Sequence, residues 1–214
     1  MDNAIPIVFS LVVLIFSVVI HEVSHGFAAL ALGDKTAQYA GRLTLNPLKH
    51  LDVFGSFLLP VISYLVGGFI FGWARPVPYN PDNLRNKKWG SALVALAGPA
   101  ANIILAVFFG LLIRFSFLAA GRVSAEILMN FISIAGTIVL LNLVLAFFNL
   151  IPIPPLDGSK LLFAALPYQW NNIKIFLEQY GFYLLLIFIF FFANWLLPLV
   201  FYSFQFLVGS VPFL

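Results

Sequence analysis

The stretch IPIVFSLVVLIFSVVIHEVSHGFAALAL, residues 5–32, decides the fold. It is longer than the roughly 20 apolar residues a helix needs to cross a bilayer. Its only charged or imidazole side chains are His21, Glu22 and His25, which form an HExxH pattern. On a helix, positions four apart lie one turn apart on the same face, so His21 and His25 can grip one zinc ion while Glu22 reaches a water beside it. Two imidazoles can also be plain polar contacts in a helix bundle, and HExxH does arise by chance. Here, however, three costly polar groups cluster at hydrocarbon depth, where ionisable side chains mark functional sites by default. The stretch reads as the centre of a metal-dependent protease working inside a membrane.

Composition supports the membrane. Of 214 residues, 62% are hydrophobic and only 9% charged, with a mean hydropathy of +1.04, which leaves almost no room for a soluble module between apolar stretches. The expectation is an all-α polytopic membrane protein forming a single domain over residues 1–214. The net charge of +3 is spread over short loops, a pattern suited to the headgroups of a lipid bilayer and not to nucleic acid. With no cysteine in the chain, disulfides and thiolate zinc sites are excluded, and imidazole and carboxylate remain as strong ligands. The first apolar stretch lacks the basic start of a signal peptide, and cleaving it would remove the HExxH.

Residues 5–32, 89–119, 127–150 and 181–207 are each long and apolar enough to span. Pro198 predicts a kink in the last of these. Residues 52–73 are ambiguous: the length permits a crossing, but Gly55, Pro60, Gly67 and Gly68 suit a broken or re-entrant pair of half-helices. Basic residues cluster at Lys35, Arg42 and Lys49, at Arg75, Arg85, Lys87 and Lys88, and at Lys160 and Lys174. Cytoplasmic loops are enriched in Lys and Arg, and only re-entry of 52–73 leaves all three clusters on that side. The HExxH then lies about nine residues, roughly 13 Å, from the cytoplasmic end of its helix.

A catalytic zinc needs three protein ligands and an open position for water. Outside the HExxH the candidates are His50 and seven carboxylates, Asp2, Asp34, Asp52, Asp82, Glu126, Asp157 and Glu178. Asp157 stands out because it follows an apolar span directly, in Phe148-Asn149-Leu150-Ile151-Pro152-Ile153-Pro154-Pro155-Leu156-Asp157-Gly158, where a bare carboxylate is expensive unless paired or coordinated. Asp157 could instead cap a short helix over 158–166 that Pro167 closes, but capping leaves the neighbouring Asn and proline run unexplained. Pro152, Pro154 and Pro155 have no amide proton and push the residues before them towards extended geometry, so the chain must unwind here. Unwound backbone at this depth faces protein or a wet cavity. Asn149 could aim its amide at a developing oxyanion or make an interhelical hydrogen bond. The latter is the reading for Asn142, two turns earlier. Gly98-Pro99-Ala100-Ala101-Asn102 puts small residues in the span 89–119, which suggests close helix packing.

The HExxH, the Asn149 to Gly158 stretch and the intervening Ala97-Gly98-Pro99 together resemble the site-2 protease family of intramembrane zinc metalloproteases, peptidase family M50. The similarity covers most of the chain. It implies that His21, His25 and Asp157 bind one zinc ion, that Glu22 is the general base, and that Asn149 assists the tetrahedral intermediate. The chain shows no PDZ or CBS domain and is similar to the compact branch built on a three-helix core. Residues 41–47 and 71–78 are similar to that family's membrane-associated strand elements, and the latter would offer an edge on which a scissile segment pairs once extended.

In the mechanism so implied, Glu22 accepts a proton from the attacking water and returns it to the leaving amine. Water would enter past the polar segments 34–50 and 76–88. The expected partners are a membrane-protein substrate and the bilayer of the cell membrane, with the active site nearer the cytoplasmic side, no nucleic acid, and homo-oligomer formation left open. The competing class is a non-proteolytic zinc-binding membrane protein, a metal transporter or inactive scaffold. A transporter would carry further acidic or His residues along its spans, and beyond the cluster only Arg114 appears, near a helix end where it can snorkel.

Overall fold

Four helical stretches, at 8–31, 90–114, 125–149 and 168–208, are long and apolar enough to cross a membrane. In lipid the backbone must satisfy its own hydrogen bonds, which helices do within one segment. The structure, a computed structural model, describes residues 4–52, 55, 58, 62, 65 and 75–209. The helices are α1 (Ala4–Ala31), α2 (Thr36–Tyr39), α3 (Gly90–Arg114), α4 (Ala125–Asn149), α5 (Gly158–Ala165), α6 (Asn171–Ile187) and α7 (Leu196–Val208).

Buried contacts fix how α1, α3 and α4 run. Descending α1, Ser17, His21 and His25 meet Asn142 of α4, Asn102 of α3 and Val94 of α3 respectively. The α3 partners therefore fall in number as α1 advances, which makes the two helices antiparallel. The C-terminal halves of α1 and α4 lie at the same end, so α4 runs parallel to α1. Side chains are sorted for lipid: Ser17, Asn102 and Asn142 are buried, while Ile104, Phe108 and Phe206 are exposed, as expected where the surrounding solvent is apolar and polar groups bond across helices. A second cluster, formed by Ala106 and Ile113 of α3, Ile132 and Val139 of α4 and Val200 and Val208 of α7, fastens the C-terminal helix to the bundle.

α1 ends where its apolar run ends. Gly33 takes a φ of +109°, and its amide and that of Asp34 donate back to Leu30 O and Ala29 O at 3.0 and 2.9 Å, the glycine-terminated stop that L side chains resist. The chain then leaves the bundle's edge and returns to the same end, where Arg85 N donates to Leu32 O at 3.0 Å. Within that excursion, His50 O accepts from Arg75 N at 2.9 Å, so the residues flanking 52–73 meet. The segment 52–73 itself lies almost wholly outside the described residues.

Three expectations need correction. The irregularity in the last span precedes Pro198. After α6 comes a π-turn at Phe188–Phe192 and a 3-10 turn at Ala193–Trp195, whereas Pro198 sits in the first turn of α7. A proline ring collides with the carbonyl four residues back, here that of Asn194, so the break falls before the proline. The helical stretch also starts earlier than residue 181, at Tyr168, whose 3-10 turn leads into α6. As for strands, none is present among the described residues, where there is only an isolated bridge between Ala120 and Val123. Residues 41–47 form turns: Gly41 has φ +63°, and Asn46 caps a 3-10 turn at Pro47–Lys49. Residues 75–80 carry no regular secondary structure and join no ladder, and Pro76 and Pro78 have no amide to donate. Residues 71–74 lie outside the described set.

Candidate active site

His21 and His25 project from one face of α1, with ring centroids 4.6 Å apart. Each ring is pinned through Nδ1. His21 Nδ1 bonds Asn102 Oδ1 at 2.6 Å, and His25 Nδ1 bonds Val94 O at 2.7 Å. A carbonyl only accepts, so His25 carries its proton on Nδ1. Asn102 Nδ2 donates to Asn142 Oδ1 at 2.7 Å and to Ser17 O at 3.3 Å, which turns its Oδ1 towards His21 and fixes the same tautomer there. Asn142 Nδ2 completes the chain by donating to Ser17 Oγ at 2.9 Å, the interhelical role expected of it. Both Nε2 lone pairs are thereby aimed at one spot. Such outer partners set ring orientation and ligand basicity at metal sites.

Asp157 meets them there. Its Oδ2 lies 3.0 Å from His21 Nε2 and 3.2 Å from His25 Nε2. The residue does occupy the N-cap position of α5, but its side chain makes no capping hydrogen bond. Its carboxylate turns instead towards the two imidazoles. The backbone explains the reach: α4 stops at Asn149, the proline-rich run coils through turns, and Gly158 packs against the carbonyl oxygens of Leu150 and Ile151, where an added Cβ would lie 2.2 and 2.6 Å away.

Two neutral imidazole nitrogens and a carboxylate oxygen facing one another repel unless a proton or a metal ion lies among them. With bonds of about 2.0–2.1 Å, neighbouring ligands on a zinc tetrahedron sit about 3.3 Å apart, close to the two spacings seen. The donor set and its spacing fit zinc. Glu22 sits beside it, its carboxylate within 4.8 Å of a ring nitrogen of each histidine. Glu22 Oε2 accepts the Val77 amide at 2.8 Å, while Oε1 accepts nothing among the described residues.

Two residues of α3 were not apparent from the sequence as part of the site. Gly98 faces both rings, and a Cβ there would lie 2.5 Å from His21 Nε2 and 2.6 Å from His25 Nε2. Asn102, one turn on, holds His21. The signal was present in Gly98-Pro99-Ala100-Ala101-Asn102, since an amide and a glycine four apart match the spacing of the two histidines. Conversely, Asn149 is not joined to the cluster: its Nδ2 donates back to Leu145 O at 2.9 Å within its own helix. His50 is also elsewhere, buried with Nε2 2.8 Å from Thr44 O.

The segment over Glu22 is itself stapled. Arg42 Nη2 donates to Arg75 O at 2.7 Å, and Asp34 Oδ2 accepts from Asn80 N at 2.7 Å. Asp34 is fully buried and also accepts from Thr36 N, Thr36 Oγ1 and Asn83 Nδ2. Burial pushes its carboxyl up, but these hydrogen bonds outweigh burial and hold it below the ordinary value.

The model of peptidase family M50 matches residues 9–192. The chain is 41% identical over 182 residues to "Putative zinc metalloprotease YwhC" of Bacillus subtilis (strain 168), covering 82% of this chain and 77% of that protein. It is 34% identical over 195 residues to "Putative zinc metalloprotease Rip2" of Mycolicibacterium smegmatis, covering 90% and 71%. It is 30% identical over 174 residues to "Putative zinc metalloprotease MJ0611" of Methanocaldococcus jannaschii, covering 76% and 74%. No solved structure matches. With the family model and these relatives aligned over most of its length, this chain belongs to peptidase family M50.

Proposed function

We propose that the chain is a zinc-dependent intramembrane endopeptidase that hydrolyses peptide bonds in or near the transmembrane segments of membrane-protein substrates. One observation carries the reading: Asp157 Oδ2 lies 3.0 and 3.2 Å from the Nε2 atoms of the two HExxH histidines although its backbone position would let it cap a helix. Family membership and the names of the relatives support a zinc metalloprotease.

His21, His25 and Asp157 would hold one zinc ion, which when bound acidifies water and polarises a peptide carbonyl. Glu22 then does the proton work. Its Oε2 is steadied by Val77 N–H, and Oε1 takes the proton of the attacking water and delivers it to the leaving nitrogen. In the structure the Asn149 amide bonds Leu145 O, so a part for it in steadying the oxyanion requires a rotamer change when substrate binds. The residues flanking 52–73 meet through His50 O and Arg75 N, which supports re-entry of that segment, while the clustering of Lys and Arg supports an end of the bundle facing the cytoplasm, with water entry there.

The test is made on purified protein with a membrane-spanning substrate. The unaltered chain should carry about one zinc, and Glu22→Gln should keep it while cleavage falls by about 100- to 10,000-fold. Asp157→Ala should lose both zinc and cleavage. Continued proteolysis by Glu22→Gln would refute the base assignment, and undiminished zinc in Asp157→Ala would refute the ligand set. Zinc flux across vesicles that survives Glu22→Gln would mark a transporter.

A further inference from the structure

Beside the segment that covers Glu22 lies a cavity of about 330 Å³ whose walls include Arg42, Lys49, Arg75, Leu48 and Pro78. Three cations share it. Among the described residues no carboxylate lies within ion-pair distance of any of them, and Glu22, whose charge does reach Arg42, makes no contact with it. Like charges gathered without a counter-charge repel one another.

Arg42 is the informative member. It is only 7% exposed, and Nη2 is committed to Arg75 O and Pro76 O at 2.7 and 3.4 Å. Its Nε is buried with no acceptor, and Nη1 likewise bonds no described protein atom. A buried guanidinium with unpaired N–H groups is costly, and burial together with the charge of Arg75 holds its pKa below the ordinary value. An anion supplies both the missing acceptor and the missing charge, and planar guanidinium suits phosphate oxygens.

The surroundings say which phosphate. The cavity lies in the loops that pack beside the last turns of α1, where Gly26 abuts Leu43 and Val77. Tyr39, Leu45 and Leu48 are 81%, 58% and 74% exposed and alternate with Lys35, Arg42 and Lys49. Apolar side chains interleaved with cations are the pattern of a segment lying at the headgroup layer. We infer that the Arg42–Lys49–Arg75 cavity is a binding site for the phosphate of an anionic phospholipid headgroup. The inference is independent of peptide hydrolysis and is read by binding alone.

The full chain, purified in detergent, is titrated calorimetrically with short-chain phosphatidylglycerol, with phosphatidylcholine of the same chain length, and with inorganic phosphate. Lys49 and Arg75 are exposed, so the double variant Lys49→Gln/Arg75→Gln leaves the packing intact. Arg42 is left unaltered because it staples the covering segment. One saturable phosphatidylglycerol site per chain is expected, weakened on the order of tenfold in that double variant and unchanged in Lys87→Gln/Lys88→Gln, which removes equal charge at the same end of the bundle. Equal weakening in both double variants would reduce the effect to diffuse surface attraction and overturn the site. Absence of saturable binding, or undiminished binding in Lys49→Gln/Arg75→Gln, would overturn it outright. Phosphatidylcholine binding as tightly would refute an anionic lipid, and inorganic phosphate binding as tightly would show a free-phosphate site instead.

Discussion

At the residue scale, the HExxH and Asp157 were legible because each is an expensive group in an apolar setting, and expense without function is rare. Asn102 and Gly98 were less legible because the same small residues that let helices touch also make room for a metal site. Their roles separate by measurement. Asn102→Leu deprives His21 Nδ1 of its acceptor, so zinc affinity, read by competition with a chromogenic chelator, should fall about 10- to 100-fold. Asn142→Leu, which touches Asn102 and not the ring, should cost less. Equal losses would mean that the polar chain acts only as helix glue. Gly98→Ala should be harsher than its size suggests. Its Cβ would lie 2.5 Å from His21 Nε2, and both rings are tethered at Nδ1, so neither can move aside without losing that bond. Metal analysis of the folded variant should show zinc absent, and a normal zinc content would contradict the packing at this turn.

At the scale of elements, hydrophobic run length located α1, α3 and α4 to within a few residues at most ends, because a bilayer leaves the backbone few alternatives to helix. The covering segment was harder to read. Residues 75–80 carry no regular secondary structure, and their amides go to His50 O, Glu22 Oε2 and Asp34 Oδ2, acceptors so distant in sequence that they leave no periodic trace. One staple has a pH signature. Because the folded Asp34 carboxyl titrates below its ordinary value, its contribution is present at neutral pH and is lost as pH falls through that lowered value. Hydrogen exchange at the Thr36 and Asn80 amides, corrected for the intrinsic pH dependence, should therefore stay slow through mildly acidic conditions and quicken only in stronger acid. Asp34→Asn should exchange faster at neutral pH and lack the acid step. Unchanged protection of Asn80 in that variant would show that the segment is held by other means.

For the whole molecule, the proposed three-ligand site demands one topology. Asp157 follows the end of α4, and His25 lies one and a half turns before the end of α1, so the two helices must run in the same direction to share a metal. The contacts between Ser17 and Asn142 and between His21 and Asp157 are of that kind. Since α3 runs against both, residues 32 and 85 sit together at one end, and the loop around Arg122, between α3 and α4, lies at the other. On the proposed orientation, in which loops rich in Lys and Arg face inward, the first end is the cytoplasmic one. The chain has no cysteine, so single cysteines placed at Lys35, Lys87, Lys174 and Arg122 report without background. In intact cells an impermeant thiol reagent should label only the Arg122 position, and permeabilisation should open the other three. The reverse pattern, with three labelled and Arg122 protected, would invert the protein in the membrane but leave the bundle standing. Opposite outcomes at Lys35 and Lys87 would be far more damaging: residues 52–73 would then cross the bilayer, α1 and α4 would run antiparallel, and His21, His25 and Asp157 could not meet at one depth.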